Sequence, residues 1–196
     1  MLNPKSPLAD LLNADMRPGV VEWIGIRPKR RGEMTVVDRV GLDSQAGVIG
    51  DHYSNPERGT RHVTLIQRED LSAIASYLAQ DVTPEQLRRN IVVRGLNLRA
   101  LKDKRFRIGA ALLEMTGECH PCSRMEETFG TGGYNAVRSH GGITARVLES
   151  GIVRLGDSLT VASCAGGSTG RRTCATSPAC YSLSSTCSDG PSPPSP

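Results

Sequence analysis

Apolar and polar residues alternate in short bursts along most of this chain, with glycines punctuating them. The two-residue period and the β-branched content predict strands at 20–26 (VVEWIGI), 34–40 (MTVVDRV), 61–66 (RHVTLI), 90–95 (NIVVRG), 111–117 (ALLEMTG), 143–149 (ITARVLE) and 157–162 (DSLTVA). Two stretches depart from that period. In 68–80 (REDLSAIASYLAQ) apolar residues recur at helical spacing. The segment 83–89 (TPEQLRR) opens with a Thr cap, Pro in the first turn and Gln three residues after the cap. RFRIGAALLEM and IVRLGDSLTV share an alternating approach, a Gly turn and a strand, and each predicts a hairpin. The expected fold class is mainly β with a few short helices (α+β), closed as a barrel or sandwich.

The pattern ends near residue 162. From Ser163 onward Ser, Gly, Thr and Pro dominate, aliphatic residues almost vanish and neither period survives. Such a composition cannot bury enough apolar surface to offset the entropy of ordering. Residues 1–162 are therefore expected to form one domain and 163–196 a disordered tail.

Charge narrows the function classes. The 24 Lys and Arg against 20 Asp and Glu give a net +4, and the basic residues are scattered rather than gathered into a stripe, which argues against a nucleic-acid partner. Only Lys5, Lys29, Lys102 and Lys104 are lysines, so most of the positive charge is arginine, whose forked donors suit phosphate. No run of 18 apolar residues occurs, and MLNPKSPLADLLNAD lacks the pattern of a signal peptide. A soluble, cytoplasmic protein with no membrane partner is expected.

Cys164, Cys174, Cys180 and Cys187 fall in the tail at spacings that match neither a zinc ribbon nor a ferredoxin. Cys119 and Cys122 stand apart, in GECHPCSRMEE. A dithiol exchange motif is one reading, but hairpin-like strands precede it rather than the βαβ pattern of thioredoxin-like folds. Zinc is another, although the body offers only the isolated His52, His62 and His140 to complete a set with Cys119, His120 and Cys122. Two buried small hydrophobes is a third, set against the polar neighbours Ser123, Arg124, Glu126 and Glu127. The fourth is one thiolate, fixed by a proline turn, that ligates a soft metal while arginines elsewhere hold an anionic cofactor. IRPKRRG (26–32) and LRRN (87–90) could supply those arginines.

GVIGDHY (47–53), RHVTLIQREDL (61–71), LRRNIVVRGLNLRAL (87–101), RFRIGAALLEMTGECHPCSRMEE (105–127) and GGYNAVRSHGGITARVLESGIVRLGDSL (132–159) occur in an order that resembles the MOSC domain. This family is named after the C-terminal domain of molybdenum cofactor sulfurase, and the likeness is to its stand-alone bacterial members. The resemblance implies a β-barrel-like fold that binds the molybdenum cofactor, a pterin dithiolene with a terminal phosphate. It maps the metal ligand onto Cys122, which follows Pro121, and leaves Cys119 as an accessory thiol. Cofactor contacts map onto Arg88 and Asn90, and more loosely onto Arg27, Lys29 and Arg30. Asp51 and His52, in a glycine-flanked loop, are candidate proton donors. His140, in another glycine loop, is a candidate for closing the pocket, and His62 is expected to be structural.

The implied activity is two-electron reduction of small N-hydroxylated or N-oxygenated compounds. The chain has no haem-attachment C-x-x-C-H and no iron–sulfur set, so electrons are expected from a separate reductase partner. The alternative is carriage of sulfur or of the cofactor on a cysteine thiolate or persulfide, without turnover.

Overall fold

The structure, a computed structural model, describes residues 6–53 and 59–162, so the expected tail lies outside the described residues. Seven strands close into a mixed barrel: β1 (Gly19–Ile26), β5 (Val63–Gln67), β6 (Ile91–Arg94), β7 (Arg105–Ile108), β8 (Ala111–Glu118), β9 (Ile143–Glu149) and β11 (Ser158–Val161). Around the barrel they run β11, β7, β8, β9, β5, β6, β1, and β1 pairs back onto β11 through Gly19 opposite Leu159. Among the described residues only β5 and β6 pair in parallel. A parallel pair needs a crossover, and the chain, whose first helix α1 (Pro7–Leu12) precedes β1, supplies it with helices α2 (Arg68–Leu78) and α3 (Pro84–Leu87). The short strands β2 (Thr35–Val36), β3 (Arg39–Asp43), β4 (Gly47–Val48) and β10 (Gly151–Arg154) complete the β structure. β2 pairs with β1, while β10, β3 and β4 make a small second sheet.

The alternation read in the sequence is the barrel's inside–outside alternation. Phe106 and Ile108 of β7 are buried while Arg105 and Arg107 face out. Those inward side chains join Leu65, Ile91, Leu113, Ile143 and Leu159 in one core. A second cluster lies under the helices, where Leu71 and Ile74 of α2 meet Ile66, Val92 and residues of α4 (Arg124–Phe129) and α5 (Gly133–Val137). The run IVV in β6 is apolar on both faces because Ile91 and Val93 point into the barrel core and Val92 into this outer layer.

Two expectations need correction. The strand predicted over 34–40 divides into β2 and β3, which join different sheets. The hairpin predicted in IVRLGDSLTV does not form: β10 pairs with β3, whereas β11 pairs with β7 and β1. Gly156 adopts φ +83 and Asp157 Oδ2 accepts the Arg154 N–H at 2.8 Å, so this turn redirects the chain between sheets instead of folding it back. The first predicted hairpin is present, with Ile108 opposite Ala111. Helix α3 is only four residues long and carries the predicted capping box of Thr83 and Gln86.

Candidate functional site

A cavity of about 300 Å³ opens beside the residue after β1 and the residue before β6, and its far wall is the chain leaving β8. Antiparallel pairing of β1 with β6 puts Arg27 and Asn90 at the same end of the barrel, and both line the cavity. Asp51 reaches it from the loop after β4, at 5 % exposure.

Asp51 is the hub of this corner. Its carboxylate accepts the Arg27 backbone N–H at 3.1 Å, Arg27 Nε at 3.3 Å, the Tyr53 N–H at 2.9 Å and Asn90 Nδ2 at 2.9 Å. Burial pulls the Asp51 carboxyl up, but the Tyr53 N–H and the charge and N–H groups of Arg27 outweigh it, and the net shift is downward. A carboxylate so held is surrounded by donors, the arrangement of a group that positions its neighbours. His52 bonds the Arg27 carbonyl through its backbone N–H at 2.7 Å and lies 3.2 Å from Asp51 through Nδ1. It does not line the cavity.

Asn90 is equally committed. Its Nδ2 donates to Asp51 and to the Gly25 carbonyl at 3.2 Å, while its Oδ1 accepts Thr64 Oγ1 at 2.8 Å and the Thr64 N–H at 3.3 Å. Both amide hydrogens and both lone pairs of a side chain only 3 % exposed are thereby used. Asn90 is a strut joining β1, β5 and the Asp51 loop, not the open pairing edge for a pterin that the sequence suggested.

The arginines sort unexpectedly. Arg61 and Arg89 line the cavity with Arg27, whereas Arg30 is exposed outside it and Arg88 is turned away. Arg88 ends α3 in a left-handed conformation, φ 56, and its Nη1 donates to the Gly32 carbonyl at 3.0 Å. Burial pushes its guanidinium down, aided by the charges of Arg124 and Arg27 and opposed by Asp51. The break in helical phase at Arg88 sends the next residue, Arg89, inward. Its Nε donates to the Gly141 carbonyl at 2.6 Å and its Nη1 to the Leu87 carbonyl at 3.0 Å.

The two cysteines part company. β8 ends at Glu118 and the next residue, Cys119, still bonds across to β9's approach, its N–H reaching the Gly142 carbonyl at 2.9 Å. Cys119 is half-buried and lines the cavity; burial pushes its thiol up, against the charges of Arg89 and Arg61. Three residues on, past Pro121, Cys122 stands exposed outside the cavity lining, where its carbonyl accepts the Met125 N–H at the start of α4. Among the described residues no three His, Cys, Asp or Glu side chains gather to hold a metal, so the zinc reading finds no site there.

His140 is likewise outside the cavity: its Nδ1 lies 2.7 Å from Asp70 Oδ1 on α2. His62 and His120 are the imidazoles of the lining. His62 Nδ1 accepts the Val147 N–H at 3.1 Å, which leaves the ring proton on Nε2. Sequence reasoning missed Arg61, His62 and Thr144 as cavity residues. Arg89 lay within the LRRN stretch singled out for its arginines, but the resemblance pointed to its neighbour Arg88.

The family model described as MOSC domain matches residues 27–160. No curated protein matches the sequence. Among solved structures, YuaD from Bacillus subtilis is 19% identical with a TM-score of 0.66, over 74% of this chain and 96% of that one. YiiM from Escherichia coli is 20% identical with a TM-score of 0.59, over 78% of this chain and 73% of that one. YiiM from Geobacillus stearothermophilus is 16% identical with a TM-score of 0.59, over 74% and 75%. At these identities the likeness is one of fold. No helix among the described residues is long and apolar enough to cross a membrane.

Proposed function

The chain belongs to the MOSC domain family, a family associated with molybdenum cofactor binding, and we propose on that footing that its cavity holds the molybdenum cofactor for reduction of a small N-oxygenated compound. The observation that carries the reading is uncompensated charge. Asp51 neutralises Arg27 and Glu118 pairs with Arg99 at 2.9 Å, but Arg61 and Arg89 make no ion pair among the described residues. Two such guanidiniums in one cavity favour a ligand bearing an anionic group, and a terminal phosphate offers oxygens at the spacing of their forked donors. Cys119 in the lining and Cys122 on the exposed stretch beyond it are soft sulfur donors. At the cavity itself the arginines and the Cys119 thiol fit the group.

Arg61 and Arg89 would grip the phosphate end, with Arg27 held in place by Asp51 and Asn90. Cys122 would be the metal ligand. Exposure suits that role, since a metal that meets both a substrate and a partner reductase must be reachable, whereas the half-buried Cys119 thiol, pushed up by burial, serves as wall. When bound, the cofactor supplies two-electron reduction with uptake of an oxygen atom. His120, exposed and lining the cavity, can deliver the accompanying proton in place of Asp51. Electrons would come from a separate reductase.

Protein purified from a molybdenum-competent host should carry molybdenum and pterin near one per chain and reduce a hydroxylamino base with an artificial electron donor. Protein that lacks molybdenum but releases sulfur to cyanide would overturn this in favour of sulfur carriage on the exposed Cys122.

A further inference from the structure

The loop of residues 139–142 joins the outer helical layer to the cavity wall. On its inner side Gly141 offers its carbonyl to Arg89 Nε at 2.6 Å, and Gly142 offers its own to the Cys119 N–H at 2.9 Å. Both contacts are close-packed: a Cβ at Gly141 would stand 2.1 Å from the Cys119 carbonyl oxygen and 3.3 Å from Arg89 Nη2. On the outer side, Arg99 links Ser139 to Glu118, with Nη1 3.4 Å from the Ser139 carbonyl and Nη2 2.9 Å from Glu118 Oε1. Ser139, at φ 67, takes a left-handed conformation that a non-glycine residue keeps only where its surroundings over-determine it, and Gly142, at φ 82, makes the turn at the loop's other end without that strain.

His140 is the loop's one large side chain, and it points away from the cavity. Its Nδ1 lies 2.7 Å from Oδ1 of Asp70, a carboxylate buried in the first turn of α2, and its ring packs on Tyr77 with centroids 5.4 Å apart. An imidazole N–H on a buried carboxylate is a strong, directional tether. We propose that Asp70 and His140 form a positioning pair outside the cavity, which fixes the 139–142 loop and through it sets the Arg89 guanidinium beside the Cys119 thiol. His140 is then not a pocket residue but the means by which α2 holds one. The inference rests on this cavity being the working site, though not on what fills it.

A pair of alkylating agents reads the arrangement directly. Iodoacetate and iodoacetamide both consume the thiolate, so their rate ratio at Cys119 cancels the thiol's ionisation and reports the positive charge beside it. The ratio is followed by peptide mass spectrometry on the full chain, purified from a host that cannot make the cofactor, so a failed cofactor reading does not alter it. His140→Gln is expected to lower the ratio roughly threefold, as is Arg89→Gln, through lost attraction of the anionic reagent. In the Arg89→Gln background, His140→Gln should cause no further drop. Asp70→Asn, close in shape to the parent, should reproduce the His140→Gln result and replaces it if that variant melts at room temperature. An unchanged ratio in the folded His140 or Asp70 variant, or an equal drop with and without Arg89, overturns the proposal.

Discussion

Asn90 Nδ2 donates to Asp51 Oδ2 across 2.9 Å, between two side chains that are almost wholly buried. This bond ties the start of β6 to the loop after β4, and because Asp51 also holds Arg27, one carboxylate fixes one edge of the cavity. The edge is a built structure and not a chance meeting of loops.

Asp51→Asn tests that construction. The amide would present hydrogens to the Tyr53 or Asn90 donors and would leave Arg27 without its counter-charge. Removing one partner from so buried a network costs about 2–4 kcal/mol. Urea unfolding is expected to show a lower midpoint with an unchanged slope.

The pH dependence has a defined sign. The Asp51 carboxyl is lowered in the folded protein, so its contribution is present above the ordinary unfolded value of about 3.9 and is lost as pH falls further. Asp43, lowered by the Ala46 and Gln45 N–H groups, acts in the same direction. Thermal midpoints should fall below about pH 4, less steeply in Asp51→Asn. The raised Cys119 thiol works oppositely, with stability lost as pH climbs past the ordinary thiol value of about 8.5.

Gly142 is expected to tolerate no side chain. It has φ +82, and a Cβ there would meet the Leu65 carbonyl oxygen at 2.1 Å, a backbone atom of the neighbouring strand. Gly142→Ala should cost more than about 3 kcal/mol or prevent folding, because strain and collision add. Gly95→Ala is the control: it too has positive φ but nothing within 4 Å, so its cost should stay near 1–2 kcal/mol, on the order expected for strain alone.

Much of the barrel was legible, and the reason is its alternation. Strands such as β9, with Ile143, Ala145 and Val147 turned to the core, announce themselves because one face meets the interior. The division of 34–40 was not, since Val37 and Asp38 sit between two sheets and their partners lie far off in sequence. The site was half legible. Asp51, Asn90 and Arg27 do come together, but their roles depend on who accepts from whom, which no motif states. Arg61, His62 and Thr144 occupy strand ends whose facing depends on barrel closure, a long-range property. Cys119 and Cys122 differ in burial because Cys119 still bonds the Gly142 carbonyl at the end of β8, whereas Cys122 lies at the approach to α4.

Thiol reactivity gives a first check on that difference. In the cofactor-free protein Cys122, exposed, should react with iodoacetamide at least several-fold faster than Cys119, whose thiol is buried and harder to ionise. Equal rates would deny the contrast on which the assignment of the two thiols stands.

Molybdenum content of two single variants tests the central claim most directly. Each is purified from a molybdenum-competent host and measured by elemental analysis against the parent. The account predicts that Cys122→Ser loses most of its molybdenum while Cys119→Ser keeps it; equal retention in both, or loss confined to Cys119→Ser, would contradict it.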